Sequence, residues 1–408
     1  MTLSSTDLGF NPMAGSPLEA AFVGIAEIPS GRYPNRPFIG SLVEVAVAAV
    51  RDAGMQISDI DTVLLIPCLH SADDQADLIF SRVVEELGLH GRAKASAMLH
   101  SGGSTSDNIT RTAAGLIASG QAKNILVVQA DKWGSAPVAD MVDMLSGYGI
   151  PREWERPTGL TFNAVGALIT QRYMAASGST PEEMAAVCVA LRQWARLNPN
   201  AMYKDKDLTV EHVLGSKMVC DPIHAMECPM LADGATAYVM TSTENARKTH
   251  DRWVRIAGSG GCVSHYSIGQ ENDLATMGWR RAGERAYEQA GWGPDDADIA
   301  QVYDSYAAVL TIGLEGLGLC KLHEGARLFA AGEFSPGGRL PVNTNGGLLS
   351  AGHTGVGGGT ALLVEGIRQL LGRAEDARQI SDCRRAVCGG SGGTYMDSQV
   401  LLLERVDK

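Results

Sequence analysis

The order of strand-like and helix-like runs repeats itself along this chain, and no other feature of the sequence limits its fold so strongly. "EAAFVGIAEIP" reads as a first strand, "FIGSLVEVAVAAVRDAGM" as an amphipathic helix ending near Gly54, and "DIDTVLLIP" as a second strand. A helix ("DQADLIFSRVVEELGL"), a strand ("AKASAML"), a glycine turn, a helix ("NITRTAAGLIASGQ") and a strand ("KNILVVQA") continue the alternation. After a long stretch of loop and helix, "GATAYVMTS" resumes as a strand. The plan then restarts: "DRWVRIAGSGG" matches the opening strand, "ATMGWRRAGERAYEQAGW" the first long helix, and "DDADIAQVYDSYA" the second strand. A repeat of roughly 230 residues is too long for a solenoid unit. It implies two similar α/β domains, 1–250 and 251–408, packed about a pseudo-two-fold, with an insert at about 131–230 lying over one of them. Within each, the alternation is that of a mostly parallel sheet covered by helices.

Charge and composition remove several functions. A net charge of −12 over 408 residues opposes nucleic-acid binding, which needs lysine and arginine to displace counterions. The first residues show no cationic leader or apolar h-region, and no stretch offers about 18 uncharged apolar residues, so a soluble, cytoplasmic protein away from membranes is expected. Eight cysteines in so long a chain are too sparse for a disulfide scaffold and contain no C-x-x-C pair. Cys220 and Cys228 enclose His224 without a zinc spacing, so core packing is the expected role and no metal is assigned. "GVGGGTALL" has Thr360 where a dinucleotide fingerprint needs its third glycine. The 48 glycines concentrate in "HSGGS", "GSGG", "NGGLLSAGHTGVGGG" and "CGGSGG", beside strand-like or helix-like runs. That placement suggests tight turns bringing backbone amides close to a ligand.

The duplicated halves, together with "YMAASGSTPEEMAAV", "ARLNPNA", "ADGATAYVM", "GLEGLGLC" and above all "PGGRLPVNTNGGLLSAGHTGVGGG", resemble the thiolase superfamily. The likeness covers nearly the whole chain and falls within the branch of sterol-carrier-protein thiolases and lipid-transfer-protein-like proteins. It implies a duplicated five-layered α/β fold with an inserted cap. Thiolases carry a cysteine nucleophile in a C-x-x-G-type turn, where this chain has His100. They carry a histidine in an H-x-x-F-type motif, where it has Tyr303. The histidine of the G-H-P motif is retained as His353, although Thr354 replaces the proline.

These losses disfavour acyl-enzyme chemistry, which needs a thiolate or comparable nucleophile. The steroid side-chain aldolases of the same branch resemble the chain at both altered positions, with an H-x-G-G turn and a Y-D-x-[FY] motif. The resemblance therefore implies retro-aldol cleavage of a β-hydroxyacyl-CoA, with Tyr303, His353 and His100 as catalytic groups. It also implies substrate contacts from Ser101, Gly102, Gly103, Asp304, Ser305, Tyr306, Asn345, Gly352, Ser391 and Gly392. The chain departs from the aldolases at Ser305, where they carry histidine, and near Gly352, where they carry a second tyrosine. CoA enters as part of the substrate and no separate cofactor is implied. A homodimer and a small OB-fold, zinc-ribbon partner subunit are implied as well.

Each residue also has a structural reading. Tyr303 is equally a packed aromatic, Asp304 a helix cap, His100 and His353 hydrogen-bonders in turns, and Ser101 a turn former. Two other functions remain open: a thiolase-like acyltransferase or condensing enzyme, and a catalytically silent acyl-CoA-binding subunit.

Overall fold

The structure, a computed structural model, describes residues 18–71, 75–147 and 149–408. The leader reading of the first residues, the start of the 1–250 unit and the start of the "DQADLIF" helix at Asp74 lie outside the described residues. The first half of the order is β1 (Ala20–Gly31), α1 (Phe38–Asp52), β2 (Thr62–Leu65), α2 (Ile79–Glu86), β3 (Ala95–Met98), α3 (Thr105–Ala118) and β4 (Asn124–Lys132). Helices α4 (Val138–Gly147), α5 (Phe162–Ser177), α6 (Pro181–Leu197) and α7 (Val210–Leu214) follow, with a small hairpin of β5 (Met218–Cys220) and β6 (Ile223–His224). The chain returns to the sheet as β7 (Asp233–Ser242) and leaves it as α8 (Thr243–Thr249). The plan then repeats as β8 (Arg252–Val263), α9 (Trp279–Ala290), β9 (Ile299–Val302), α10 (Ala307–Gly316), α11 (Gly325–Ala330), α12 (Gly347–Ser350), α13 (Gly358–Leu371), β10 (Arg385–Gly392) and β11 (Asp397–Asp407).

The strands lie in the order β3-β2-β4-β7-β1-β8-β11-β10-β9. Read from the centre outward, each side runs first strand, last strand, fourth strand, second strand, which is the signature of a duplicated unit. The two copies meet along β1 and β8 through two residue pairs, Ala21 with Arg255 and Phe22 with Val254. The third strand of the second copy is reduced to a single bridge between Ala300 and Val342.

Both faces of each half-sheet are covered, so its strands read as apolar runs on either side. In β1, Ala20 and Phe22 point to a core shared with Ile109, Val364 and Leu401. Ala21 and Val23 point the opposite way, to a core shared with Leu42 and Val45 of α1. Helices α3 and α13 each touch strands of both halves and form a central layer; α1 packs outside the first half-sheet and α9 and α10 outside the second. The result is the five-layered α/β fold. Local signals set the insert's helices: α6 opens with a capping box of Thr180 and Glu183 and with Pro181 in its first turn. Among the described residues no helix is long and apolar enough to cross a membrane.

Candidate active site

In open α/β sheets, ligands bind beyond the carboxyl ends of the parallel strands, and the glycine turns converge there. Strand β3 ends on Met98, just before His100–Ser104; β9 ends on Val302, just before Tyr303–Tyr306; β10 ends in the loop of Ser391, Gly392 and Gly393. A cavity of about 530 Å³ opens between them, floored by these turns and roofed by Val138, Met141, Val142 and Leu145 of α4 and by Phe162 of α5.

The turns interlock at van der Waals limits. A Cβ on Gly103 would lie 2.4 Å from the Ser391 carbonyl oxygen and 2.4 Å from Cζ of Tyr303. Gly102 has φ +68 and backs onto Gly393. The first turn is tied to β11 through side chains. The Ser104 hydroxyl donates to the Asp397 carboxylate at 2.6 Å, and the Asn108 amide donates to the same carboxylate at 2.9 Å and to Ser101 Oγ at 2.8 Å. Ser101 is thereby held as a member of a structural network.

Tyr303 and His353 form the polar centre. Tyr303 Oη lies 3.0 Å from Nε2 of His353, and the two rings meet edge to face at 87°. The tyrosine backbone N–H donates to the Gly389 carbonyl at 2.9 Å. His353 is clamped by its own backbone, its N–H donating to Met230 at 2.7 Å and its carbonyl accepting from Ala232 at 3.0 Å. Burial pushes the Tyr303 phenol well above its ordinary value, with the charge of Asp304 adding to the effect. Burial pulls the His353 imidazole down to about 4. Tyr303 as a free phenolate base is thus disfavoured, and among the described residues no cation lowers its pKa. A protonated phenol against a neutral imidazole makes Tyr303 the donor and Nε2 the acceptor, a pair able to pass one proton along its length.

His100 is exposed at the lip of the cavity, its Nδ1 accepting from the Gly102 N–H at 3.3 Å. Partial burial keeps its pKa below the usual histidine value. Ser101, Gly102, Gly103, Ser305, Tyr306, Ser391 and Gly392 line the cavity. Ser305 shares a hydrogen bond with Tyr395 Oη at 2.8 Å, and Tyr306 donates to Asn163 Oδ1 at 2.6 Å.

Three expected substrate contacts stand behind the wall instead. The Asp304 carboxylate accepts from the N–H groups of Leu348 and Leu349 at 2.9 and 3.2 Å, which fixes the start of α12. Asn345 Oδ1 accepts from Gly347. Gly352 packs against Ser30 and Ala232. None of the three lines the cavity; they support the turn that presents His353. Cys388 points to Gly366 of α13, away from the cavity, and burial raises its thiol far above the ordinary range.

The sequence reading missed Trp133, Asn163, Met230, Leu231 and Arg32, all on the cavity wall. Arg32 is exposed and is the one lysine or arginine among the described lining residues. Among the described residues, no group of three histidines, cysteines or carboxylates could hold a metal ion.

The chain is similar to known proteins over most of its length. Residues 260–405 match the family described as thiolase C-terminal domain-like. The chain is 30% identical over 370 residues to a 17-hydroxy-3-oxo-4-pregnene-20-carboxyl-CoA lyase of Mycobacterium tuberculosis, covering 87% of this chain and 92% of the relative. It is 28% identical over 384 residues to an acetyl-CoA acetyltransferase of Methanothermobacter thermautotrophicus, covering 92% and 97%. Among solved structures, an Ltp2-ChsH2(DUF35) aldolase superposes with a TM-score of 0.83 at 25% identity, covering 96% of this chain and 98% of that one.

Proposed function

From the premise that this chain belongs to the thiolase superfamily, in its sterol-carrier-protein thiolase and lipid-transfer-protein-like branch, we propose that it is a carbon–carbon lyase that cleaves a β-hydroxyacyl-CoA by a retro-aldol reaction. The observation that carries the reading is the hydrogen-bonded Tyr303–His353 pair in a cavity whose first turn holds His100 in place of a cysteine and whose lining cysteine, Cys228, is kept protonated by burial. The β-hydroxyl proton passes to Tyr303 Oη as the tyrosine proton moves to Nε2 of His353. The O–H electron pair becomes the new carbonyl, the Cα–Cβ bond breaks, and its electrons form the thioester enolate. The same proton, returned through the pair to Cα, yields an aldehyde or ketone and a shorter acyl-CoA. No water, oxidant or metal is consumed. The apolar roof suits a bulky hydrocarbon acyl group, and Arg32 at the mouth suits the phosphates of CoA, which stays a part of the substrate.

A homodimer is supported by β3, a short edge strand whose Ala95 and Ala97 are exposed and whose outer backbone groups are open to pairing. A partner subunit is supported by the likeness to the two-component Ltp2-ChsH2(DUF35) aldolase; we take it to be small, with an OB-fold and a zinc ribbon, and a cytoplasmic location fits the reading. Acyl transfer is the second reading, favoured by the acetyltransferase relative; Cys228 lines the cavity, but burial pushes its thiol up to about 12.

The test is incubation with a panel of β-hydroxyacyl-CoA thioesters, with mass spectrometry of products and protein. Carbonyl product together with a shorter acyl-CoA, lost by about 10²–10⁴-fold in Tyr303→Phe, is the expected result. An acyl group bound to the protein, with Tyr303→Phe fully active, would replace this reading with acyl transfer.

A further inference from the structure

We propose that Trp133 is the positioning residue of the Tyr303–His353 pair: its indole, laid flat on the imidazole, fixes the ring plane that aims Nε2 at the phenol and seals that ring from water. The proposal rests on the cleavage role of His353 for its kinetic arm, and on geometry alone for its spectroscopic one.

Trp133 follows β4 and is 3% exposed. Its ring centroid lies 5.1 Å from that of His353 with the planes 12° apart, whereas Tyr303 meets the same imidazole at 87°. The indole Nε1 has no hydrogen-bond partner among the described residues, so packing against Ala136, Met141 and Leu231 holds the ring. The two partners are far apart in the chain yet referenced to one strip. The turn after Trp133 is pinned by the Ser135 N–H donating to Asp233 Oδ1 at 2.8 Å, and the His353 backbone is pinned to Met230 and Ala232. The edge of the imidazole is closed by the start of α13, where a Cβ on Gly358 would lie 3.1 Å from Nδ1 and Cε1. Nδ1 has no hydrogen-bond partner among the described residues. Indole, phenol and glycine backbone therefore enclose the ring.

The titratable groups that share its cavity are Tyr303, Tyr306, His100, Cys228, Arg32 and Asp397; Asp131 stands against the adjoining Gly355, with Asp304 after β9 and Asp233 at the start of β7. Asp131 accepts N–H bonds from Leu69, His70 and Lys132, and Asp304 from Leu348 and Leu349, so each carboxylate is engaged with backbone donors. The start of α13 also presents the positive end of a helix to the ring. Burial lowers the pKa of His353, and the closed packing of indole, phenol and glycine backbone is what keeps the ring dry.

The experiment is an NMR titration of ring-labelled histidine in the full chain, with His353 assigned from a His353→Asn variant, run on wild type, Trp133→Phe and Trp133→Ala. His353 should titrate near 4 in the wild type. Trp133→Phe, which keeps a flat apolar cover, should stay within about half a unit, and Trp133→Ala should rise by about one unit or more toward the ordinary 6.5 as water reaches the ring. The acid limb of the cleavage rate should move with it, and Trp133→Phe should rescue both. A His353 that titrates unchanged in Trp133→Ala, or a Trp133→Phe that fails as Trp133→Ala does, overturns the proposal. If Trp133→Ala does not fold, Trp133→Leu takes its place, and an unshifted His353 there is equally fatal. The titration decides this point even if no thioester is cleaved.

Discussion

Adding one methyl group at Gly103 tests whether the meeting of the glycine turns sets the chemistry. A Cβ there would sit 2.4 Å from the Ser391 carbonyl and from Tyr303 Cζ, against an ordinary contact of 3.4–4 Å. The carbonyl belongs to the end of β10 and cannot swing aside, so the Gly103 turn must shift off it and the tyrosine ring must retreat by about 1 Å. The Oη to Nε2 distance of 3.0 Å would then open to about 4 Å, beyond a hydrogen bond. A misplacement of about 1 Å costs on the order of 10²-fold in rate, and overpacking costs about 1–3 kcal/mol in stability. At roughly 2–4 °C per kcal/mol for a domain of 150–250 residues, the melting midpoint should fall by a few degrees. Single-turnover release of the carbonyl product and a thermal melt read the two effects. Gly115→Ala is the control, because nothing lies within 4 Å of its Cβ position in α3; it should keep the rate and gain about 0.5–1 kcal/mol. A Gly103→Ala enzyme within threefold of wild type with an unchanged melt would refute the argument.

Other outcomes are expected. His353 must be neutral to accept from Tyr303, so kcat/KM should hold on the acid side until pH approaches about 4; an acid limb at the ordinary 6.5 would count against the pair. The same depressed pKa contributes stability that is complete above 6.5 and is lost as pH falls toward about 4, readable as a melt that drops over that interval. His353→Ala should reduce turnover by about 10²–10³ with the fold retained by circular dichroism. Cys388→Ala should keep cleavage while losing about 1 kcal/mol or more of stability from the buried volume removed; a folded but dead enzyme would point to a nucleophilic role for this thiol. Arg32→Ala should raise KM for the CoA thioester several-fold and leave a phosphate-free pantetheine thioester unaffected; equal losses on both would remove the phosphate contact.

Much of the fold was legible because duplication is a pattern of order, and order survives in one dimension. Part of the polar centre was legible for a related reason: Tyr303 and the turns at His100 and Ser391 stand at the ends of strands that the pattern locates, whereas His353, in the turn between α12 and α13, was legible only through its Gly-His motif. Orientation was not legible. Asp304, Asn345 and Gly352 neighbour site residues in sequence, but the sharp turns send their side chains or backbone behind the wall. Trp133 carries no motif, and its value arises from contact with a ring supplied by the other half of the chain. The third strand of the second half dwindles to one bridge at Val342 because "PVNTN" spends its backbone on turn-forming asparagines: Asn343 has φ +49, and its side chain bonds both the N–H and the carbonyl of Val302.

The two copies differ most in one connection. Residues 133–232 join β4 to β7, whereas residues 393–396 make the corresponding join between β10 and β11. The long link supplies the ceiling of the chamber and the short one, through Gly393 and Met396, part of its floor. A molecule that looks symmetric in its sheets is thus one-sided at its centre. Changes in the long link can enlarge or reshape what is admitted, while any lengthening of the short one intrudes on the reacting groups, so variation in substrate size has a single place in this architecture where it can be written.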